Sequence, residues 1–452
     1  MTGPLGRAYG DFCAGLRSAA LPDAVRRKAA WIVADSVAAI AAGLRVPEMR
    51  TLSRRLLGSN ARGAAHLIGM SIGGPAKDVA FLNGTAGTWL ELNEGHIASR
   101  GHPAIHVVPA IWALAEERGA SGSAVLAALV AGYEIGARIG RASQLREAVH
   151  PHGTFGTVGA AAAVAQLAGL DAAAIAGAIN LASTMGMATS RRTLLEGATV
   201  RNTYAGGSAR AGLLALDLLE AGFTAEADGV PTVYGKVYAD SFSTGAALEG
   251  LGSEFMLLGG YIKLHPCGRY LHSALDLAED LIDRHGTGFA ATGIEAIDID
   301  AYHPLSMLCG QAPATSFGAR FSAPFAVASL LVHGGRDFAN FDQPAVDDPV
   351  RRNLAERISV REEPEFTAAY PGRQRCRMTV RWRNGTRETL TAEHIRGEAE
   401  NPHAESDLTA KFHATCAPLW GLPASQAMLG RLLAIEDAAD LRQLVSDLPH
   451  DD

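Results

Sequence analysis

From about residue 22 to residue 265, apolar positions recur every three or four residues, the period of helices that bury one face. Leu21-Pro22 opens the first run, which passes through Ile32-Val33 and Val37-Ala38 and ends at Gly43. Further helices are predicted near 76–92, 103–118, 122–142, 155–168, 171–184 and 201–221, each with glycine near its end. One more, Tyr270 to His285, follows His265-Pro266. The period then shortens to two. Ile294 to Asp300 alternates as a strand, and Cys376–Trp382 with Thr386–Ala392 forms a hairpin around Asn384-Gly385, a pair that tolerates the positive φ of a tight turn. A helix over Ala323 to His333 lies between them. Past His394 the chain turns polar through Gly397–Pro402. It returns to helical spacing in Leu408–Cys416 and Ser425–Ser446, elements able to rejoin the first region. The pattern predicts a mostly α protein. The expected division is a large all-helical domain over residues 1–267, which 396–452 can rejoin, and a smaller α+β domain over residues 268–395.

A chain of 452 residues is longer than one hydrophobic core usually serves, so two or three domains are expected. A formal net charge of −7 without a Lys/Arg block argues against nucleic acid as a partner. Lysine is scarce: Lys28, Lys77, Lys236, Lys263 and Lys411 stand against thirty-five arginines, so a lysine in an apolar setting is informative. Five scattered cysteines with no C-x-x-C pair fit a reducing compartment and free thiols. The N-terminus lacks the charged-then-apolar layout of a signal peptide. Apolar runs such as Val158–Leu167 fall short of the roughly 20 residues a membrane helix needs. A cytoplasmic protein that does not enter a membrane is expected.

Three segments carry candidate chemistry. Glu91-Leu-Asn-Glu94-Gly-His96 through His102-Pro103 to His106 packs two carboxylates, three histidines and Arg100 between two predicted helices, and proline at the first helical turn places His102 at a helix N-terminus. Val149-His150-Pro151-His152-Gly153-Thr154 precedes an alanine-rich helix. Its glycines match neither dinucleotide nor P-loop spacing, and Gly156 and Gly159 read as close helix packing. Tyr261-Ile262-Lys263-Leu264-His265-Pro266 and the following Arg269 fall at the proposed domain junction, where pockets tend to form. Arg191, Arg192 and Arg201 add guanidinium forks suited to carboxylates. Metal binding has little support: His102 and His106 are four apart, yet a third ligand is not evident.

Taken together and in order, these residues resemble the MmgE/PrpD family. The likeness rests on Asn83-Gly-Thr-Ala86, Gly101-His102-Pro103 with Val107-Val-Pro-Ala110, and His150 with Gly153-Thr154 and Gly156-Thr157. It continues through Gly206, Gly212, Lys263-Leu-His-Pro-Cys267 with His272, Pro313 with Ala319-Arg-Phe-Ser322, and Asn401-Pro402 with Lys411-Phe412. It covers nearly the whole chain. The resemblance implies a helical domain from both chain ends with an α+β lid, a homodimer, and no metal or organic cofactor. It also implies a small polycarboxylate substrate, His102, His150 and Lys263 as catalytic residues, and Glu94, His96, Arg201, Arg269 and His272 as substrate-binding residues.

The chain departs from the family pattern in three places. Glu91-Leu92-Asn93-Glu94-Gly95 stands where dehydratases and decarboxylases carry Asp-Phe-Asp-Asp-Thr. Arg201 replaces a second lysine, and Met307 falls at a tyrosine of the decarboxylating relatives. Losing acid-capable groups weakens dehydration and decarboxylation more than 1,1-proton transfer. The favoured expectation is therefore an epimerase resembling iminodisuccinate epimerase. Lyase chemistry of the 2-methylcitrate dehydratase or cis-aconitate decarboxylase type, and a catalytically silent polycarboxylate-binding or structural dimer, are the alternatives.

Overall fold

The computed structural model describes residues 2–58 and 63–449. The predicted helices form with small shifts at their ends: Asp23–Gly43, Ala76–Trp89, Pro103–Arg118, Gly122–Ala142, Phe155–Leu167, Ala172–Ser183 and Thr203–Glu220. The alanine-rich Phe155–Leu167 helix is buried from Phe155 to Ala165. A helix enclosed on every side gains nothing from a polar stripe, which explains its composition. It lies along Gly122–Ala142, whose start is capped by Ser121 accepting from the Ala124 N–H. Glycine decides that contact. A Cβ on Gly132 would come within 2.5 Å of the Gly159 carbonyl oxygen, and one on Gly159 within 2.6 Å of the Gly132 oxygen.

One hydrophobic core runs from Leu5 to Ile262 and takes in Phe412, Cys416, Leu432 and Leu448 from the far end of the chain. A second core begins at Cys267 and ends at Leu390. It surrounds a four-stranded sheet ordered Arg387–Ala392, Cys376–Trp382, Ile294–Ala301, Ile358–Glu362. The first two pairings are antiparallel and the last is parallel. The His272–His285 and Ala323–His333 helices pack together beside this sheet.

Some elements carry no clear pattern in the sequence. Ile358–Glu362 is too short for its alternation to stand out, and it occupies a sheet edge with most of its side chains outside the core. The Ser425–Ser446 run breaks into Leu422–Leu433 and Leu441–Ser446 around a short turn. The large region is also not purely helical. Two-residue strands join distant loops there, and Gly95–His96 pairs antiparallel with Gly260–Tyr261. Gly122–Ala142 is long and apolar enough to cross a membrane, contrary to the expectation from shorter runs, but most of its surface is buried within the protein.

Candidate active site

The loop after the Ala76–Trp89 helix is built under strain. Glu91 (φ 53°) and Arg100 (φ 55°) are the only non-glycine residues with positive φ among the described residues, and both flank this loop. Each such conformation costs on the order of 1 kcal/mol, so neighbouring structure must enforce it. Asp35 and Lys411, a buried ion pair, grip the backbone between them. Asp35 accepts from the Glu94 N–H at 2.9 Å, and the Lys411 ammonium donates to the Leu92 carbonyl at 2.9 Å. Arg320, fully buried, donates to the carbonyls of Leu90 (3.1 Å) and Pro266 (2.6 Å), tying this loop to the Lys263 segment. Lys411 and Arg320 belong to the motifs that carried the family likeness, yet their part in holding this loop was not legible in the sequence.

At the loop's start, Glu91 meets two cations. Its carboxylate accepts from the Lys263 ammonium at 3.1 Å, and its other oxygen pairs with Arg201. Lys263 also donates to the Glu91 carbonyl at 3.1 Å. All three side chains are at most 2 % exposed. Burial alone would raise the Glu91 carboxyl; Arg201 and Lys263 reverse this and hold it below its ordinary value. Burial lowers Lys263, and the Glu91 charge opposes that shift. Lys263 sits behind Glu91, where the 3.1 Å contact with the carboxylate favours its ammonium form and directs its hydrogen-bonding capacity at that residue.

The histidines converge from two segments. His102 stands at the N-cap position of the Pro103–Arg118 helix, while His150 and His152 are fixed by an adjoining stretch: the His150 N–H donates to the Thr189 carbonyl at 2.7 Å, and the Thr189 hydroxyl donates to the His152 carbonyl at 2.9 Å. Ring centroids of His102 and His152 are 4.8 Å apart, and those of His150 and His152 are 5.0 Å apart. Burial holds all three imidazoles well below their usual pKa, reinforced by Arg201 and, for His102, by Lys263. All three are neutral at pH 7. Backbone partners then assign their protons. His102 Nδ1 lies 2.5 Å from the Glu94 carbonyl, which only accepts, so Nδ1 carries the hydrogen and Nε2 presents a lone pair. His150 Nδ1 accepts from the His152 N–H at 3.0 Å, so its hydrogen is on Nε2. The two rings hold opposite tautomers.

These groups open on a cavity of about 330 Å³ whose walls include Glu91, His96, His102, His150, His152 and Arg201. Its charged lining has four arginines, Arg100, Arg191, Arg201 and Arg269, against Glu91 and Glu147. Neither Arg100 nor Arg191 is ion-paired among the described residues, and buried Arg201 Nε has no hydrogen-bond partner. The cavity is cationic while its histidines stay neutral. Met307 is half exposed at the same cavity.

The other expected site residues are placed differently. Glu94 accepts from the Ala104 N–H at 3.2 Å as a cap of the following helix, and burial pushes its carboxyl up to about 8. His96 lines the cavity, with Nδ1 accepting from the Ser99 N–H at 3.1 Å. Arg269 also lines it, but its fork is engaged by Glu398 at 2.6 and 3.0 Å. His272 packs behind Arg269, with Nδ1 facing that guanidinium at 3.2 Å. Glu94 and His272 thus support the wall rather than form it. Away from the cavity, His265, Asp276 and Glu279 could surround a cation. There Glu279 is already gripped by Arg336 at 2.7 and 2.8 Å and by Arg396 at 3.1 Å, positive charges where a metal would need room.

A lone pair on one neutral imidazole, an N–H on another and a cationic wall in one cavity are able to support acid/base chemistry on an anionic small molecule. The N-terminal domain model of the MmgE/PrpD family matches residues 7–249, and the C-terminal domain model matches residues 265–429. This chain belongs to the MmgE/PrpD family. Among its relatives, the cis-aconitate decarboxylase-like protein oryM of Aspergillus oryzae is 24% identical, with 98% of this chain and 97% of the relative aligned. A cis-aconitate decarboxylase of Aspergillus terreus is 25% identical over 84% of this chain and 83% of its own length.

Proposed function

We propose that the chain is a lyase that performs acid/base chemistry on a small di- or tricarboxylate. The observation that carries this reading is the pair of opposite neutral tautomers at His102 and His150, fixed by backbone partners rather than by solvent. In loss of water, His102 Nε2 accepts a proton from a carbon beside a carboxylate and His150 Nε2–H protonates the departing hydroxyl. In loss of carbon dioxide the C–C bond breaks, no C–H proton is taken, and His150 Nε2–H protonates the carbanion. Arg201, with the exposed Arg100 and Arg191, binds carboxylates, and the guanidinium charge stabilises negative charge spreading into them. Lys263 acts through Glu91: it fixes the carboxylate that holds Arg201 in place, a positioning role in place of the catalytic one expected from sequence.

The relatives' names support loss of a fragment from a substrate such as cis-aconitate, and this favours lyase over the epimerase expected from the sequence. A 1,1-proton transfer remains the second reading, because a base and an acid of opposite tautomer in one cavity also suit removal on one face and return on the other.

Proton NMR in deuterated water separates these. The enzyme is incubated with cis-aconitate, with 2-hydroxytricarboxylates and with chiral amino- and iminodicarboxylates. Loss of carbon dioxide or water is the expected result. Inversion with solvent deuterium at the α-carbon and no loss of mass would move the assignment to the epimerase. Neither product nor deuterium exchange with any of them would reject acid/base turnover.

A further inference from the structure

His152 has no role in the chemistry described so far, yet it stands at the centre of the histidine group. Its ring meets His102 at 4.8 Å, His150 at 5.0 Å and His106 at 5.0 Å between centroids, each edge-on. It is 1 % exposed, and neither ring nitrogen has a hydrogen-bond partner. It also lines the cavity. A buried imidazole with both nitrogens unsatisfied costs roughly 1–3 kcal/mol for each unmade bond, and an apolar residue would fill the same space without that penalty. The ring lines the cavity, so the nitrogens can find partners in what the cavity holds or in the neighbouring imidazoles.

Resting on the acid/base reading above, we propose that His152 is a third catalytic residue, carrying a proton from His102 to His150 and so returning both to their starting tautomers. The transfers balance for an elimination. His102 Nε2 takes the α-proton as the C–H electron pair forms the new double bond. His150 Nε2–H protonates the departing hydroxyl, which leaves as water. His102 now holds an extra proton and His150 lacks one. His152 accepts at one ring nitrogen from His102 Nε2 and supplies His150 Nε2 from its own N–H, by a small ring rotation or through one water. No outside reactant is consumed. His150 Nδ1 is occupied by the backbone N–H of His152, so the returning proton goes to Nε2.

The experiment compares wild type with His152→Gln and His152→Ala on a polycarboxylate from which the wild type eliminates water; a wild type that releases only carbon dioxide overturns the relay, because decarboxylation leaves no C–H proton on His102. It measures kcat, melting temperature, the calorimetric Kd of tricarballylate (a saturated tricarboxylate with nothing to eliminate), and rescue by added imidazole. Expected are a fall in kcat of about 100-fold or more in both variants, a tricarballylate Kd within about threefold of wild type, and recovery of at least about tenfold when imidazole is added to His152→Ala. Retained kcat overturns the relay while leaving the lyase reading intact. So does a loss that follows a weakened Kd, which would make His152 a carboxylate ligand, and so does a loss without imidazole rescue. A wild type that neither turns over nor exchanges protons with any substrate overturns both. Should His152→Ala melt early, His152→Gln alone carries the test through its kcat-to-Kd comparison.

Discussion

Replacing Glu91 with methionine removes the one anion between two buried cations while keeping the length of the side chain. At an effective dielectric of about 20, a pair separated by the 3.1 Å of Lys263 and Glu91 has a gross attraction of about 5 kcal/mol. The Arg201 contact adds to it, while repulsion between the two cations and their desolvation subtract. Deleting one partner of a buried pair leaves a net cost of about 3–5 kcal/mol, because the remaining charges are stranded. Equilibrium urea unfolding followed by far-UV circular dichroism at pH 7.5 should show that loss. Adding Lys263→Met should recover at least about half of it by removing a stranded charge. The pH dependence has a fixed sign. Glu91 is held below its ordinary carboxyl range, so its contribution is present above the unfolded value and disappears as pH falls through the folded one. Wild type and variant should therefore converge in acid. A Glu91→Met protein within about 1 kcal/mol of wild type at pH 7.5 would refute the argument that this triad is buried and charged.

Activity should also report the neutral histidines. Because burial and nearby cations hold His102 and His150 well below their usual pKa, kcat/KM should stay level from pH 8 down to about 6 and fall only below that, and half-loss at pH 6.5 or higher would contradict the assignment. Lys411→Met strands Asp35 and frees the Leu92 carbonyl, so the melting curve should show a destabilisation of roughly 3–5 kcal/mol; a melting temperature equal to wild type would mean that this clamp carries no load. Gly156→Ala brings a methyl group to 2.3 Å from the His106 ring, and urea unfolding should show a loss of about 1–3 kcal/mol, with an unchanged midpoint arguing against the packing described. Arg201→Lys keeps the charge but loses the fork and its unpaired Nε donor, so KM should rise about tenfold or more with a smaller effect on kcat, and an unchanged KM would remove Arg201 from substrate binding.

The sequence by itself determined the helices with clear three- and four-residue spacing, the Asn384-Gly385 hairpin, and the segments that bear His102, His150 and Lys263. Those properties follow from local periodicity, turn chemistry and motif order, all written along the chain. It pointed to Gly156 and Gly159 as packing residues for the same reason, since a small residue in an apolar helix has few other uses. Tertiary structure decided the roles within the site. Asp35 and Lys411 are far apart in the chain and meet only because its two ends share one core. Glu91 takes its place between Lys263 and Arg201 through three separate segments, and Glu94, expected at the substrate, becomes a helix cap. The tautomers of His102 and His150 depend on which backbone group each Nδ1 meets, and those partners follow from loop conformation. Motif spacing can identify residues able to move protons. Which nitrogen holds the proton, and which charge stands behind it, is fixed only when remote backbone groups converge in the folded chain.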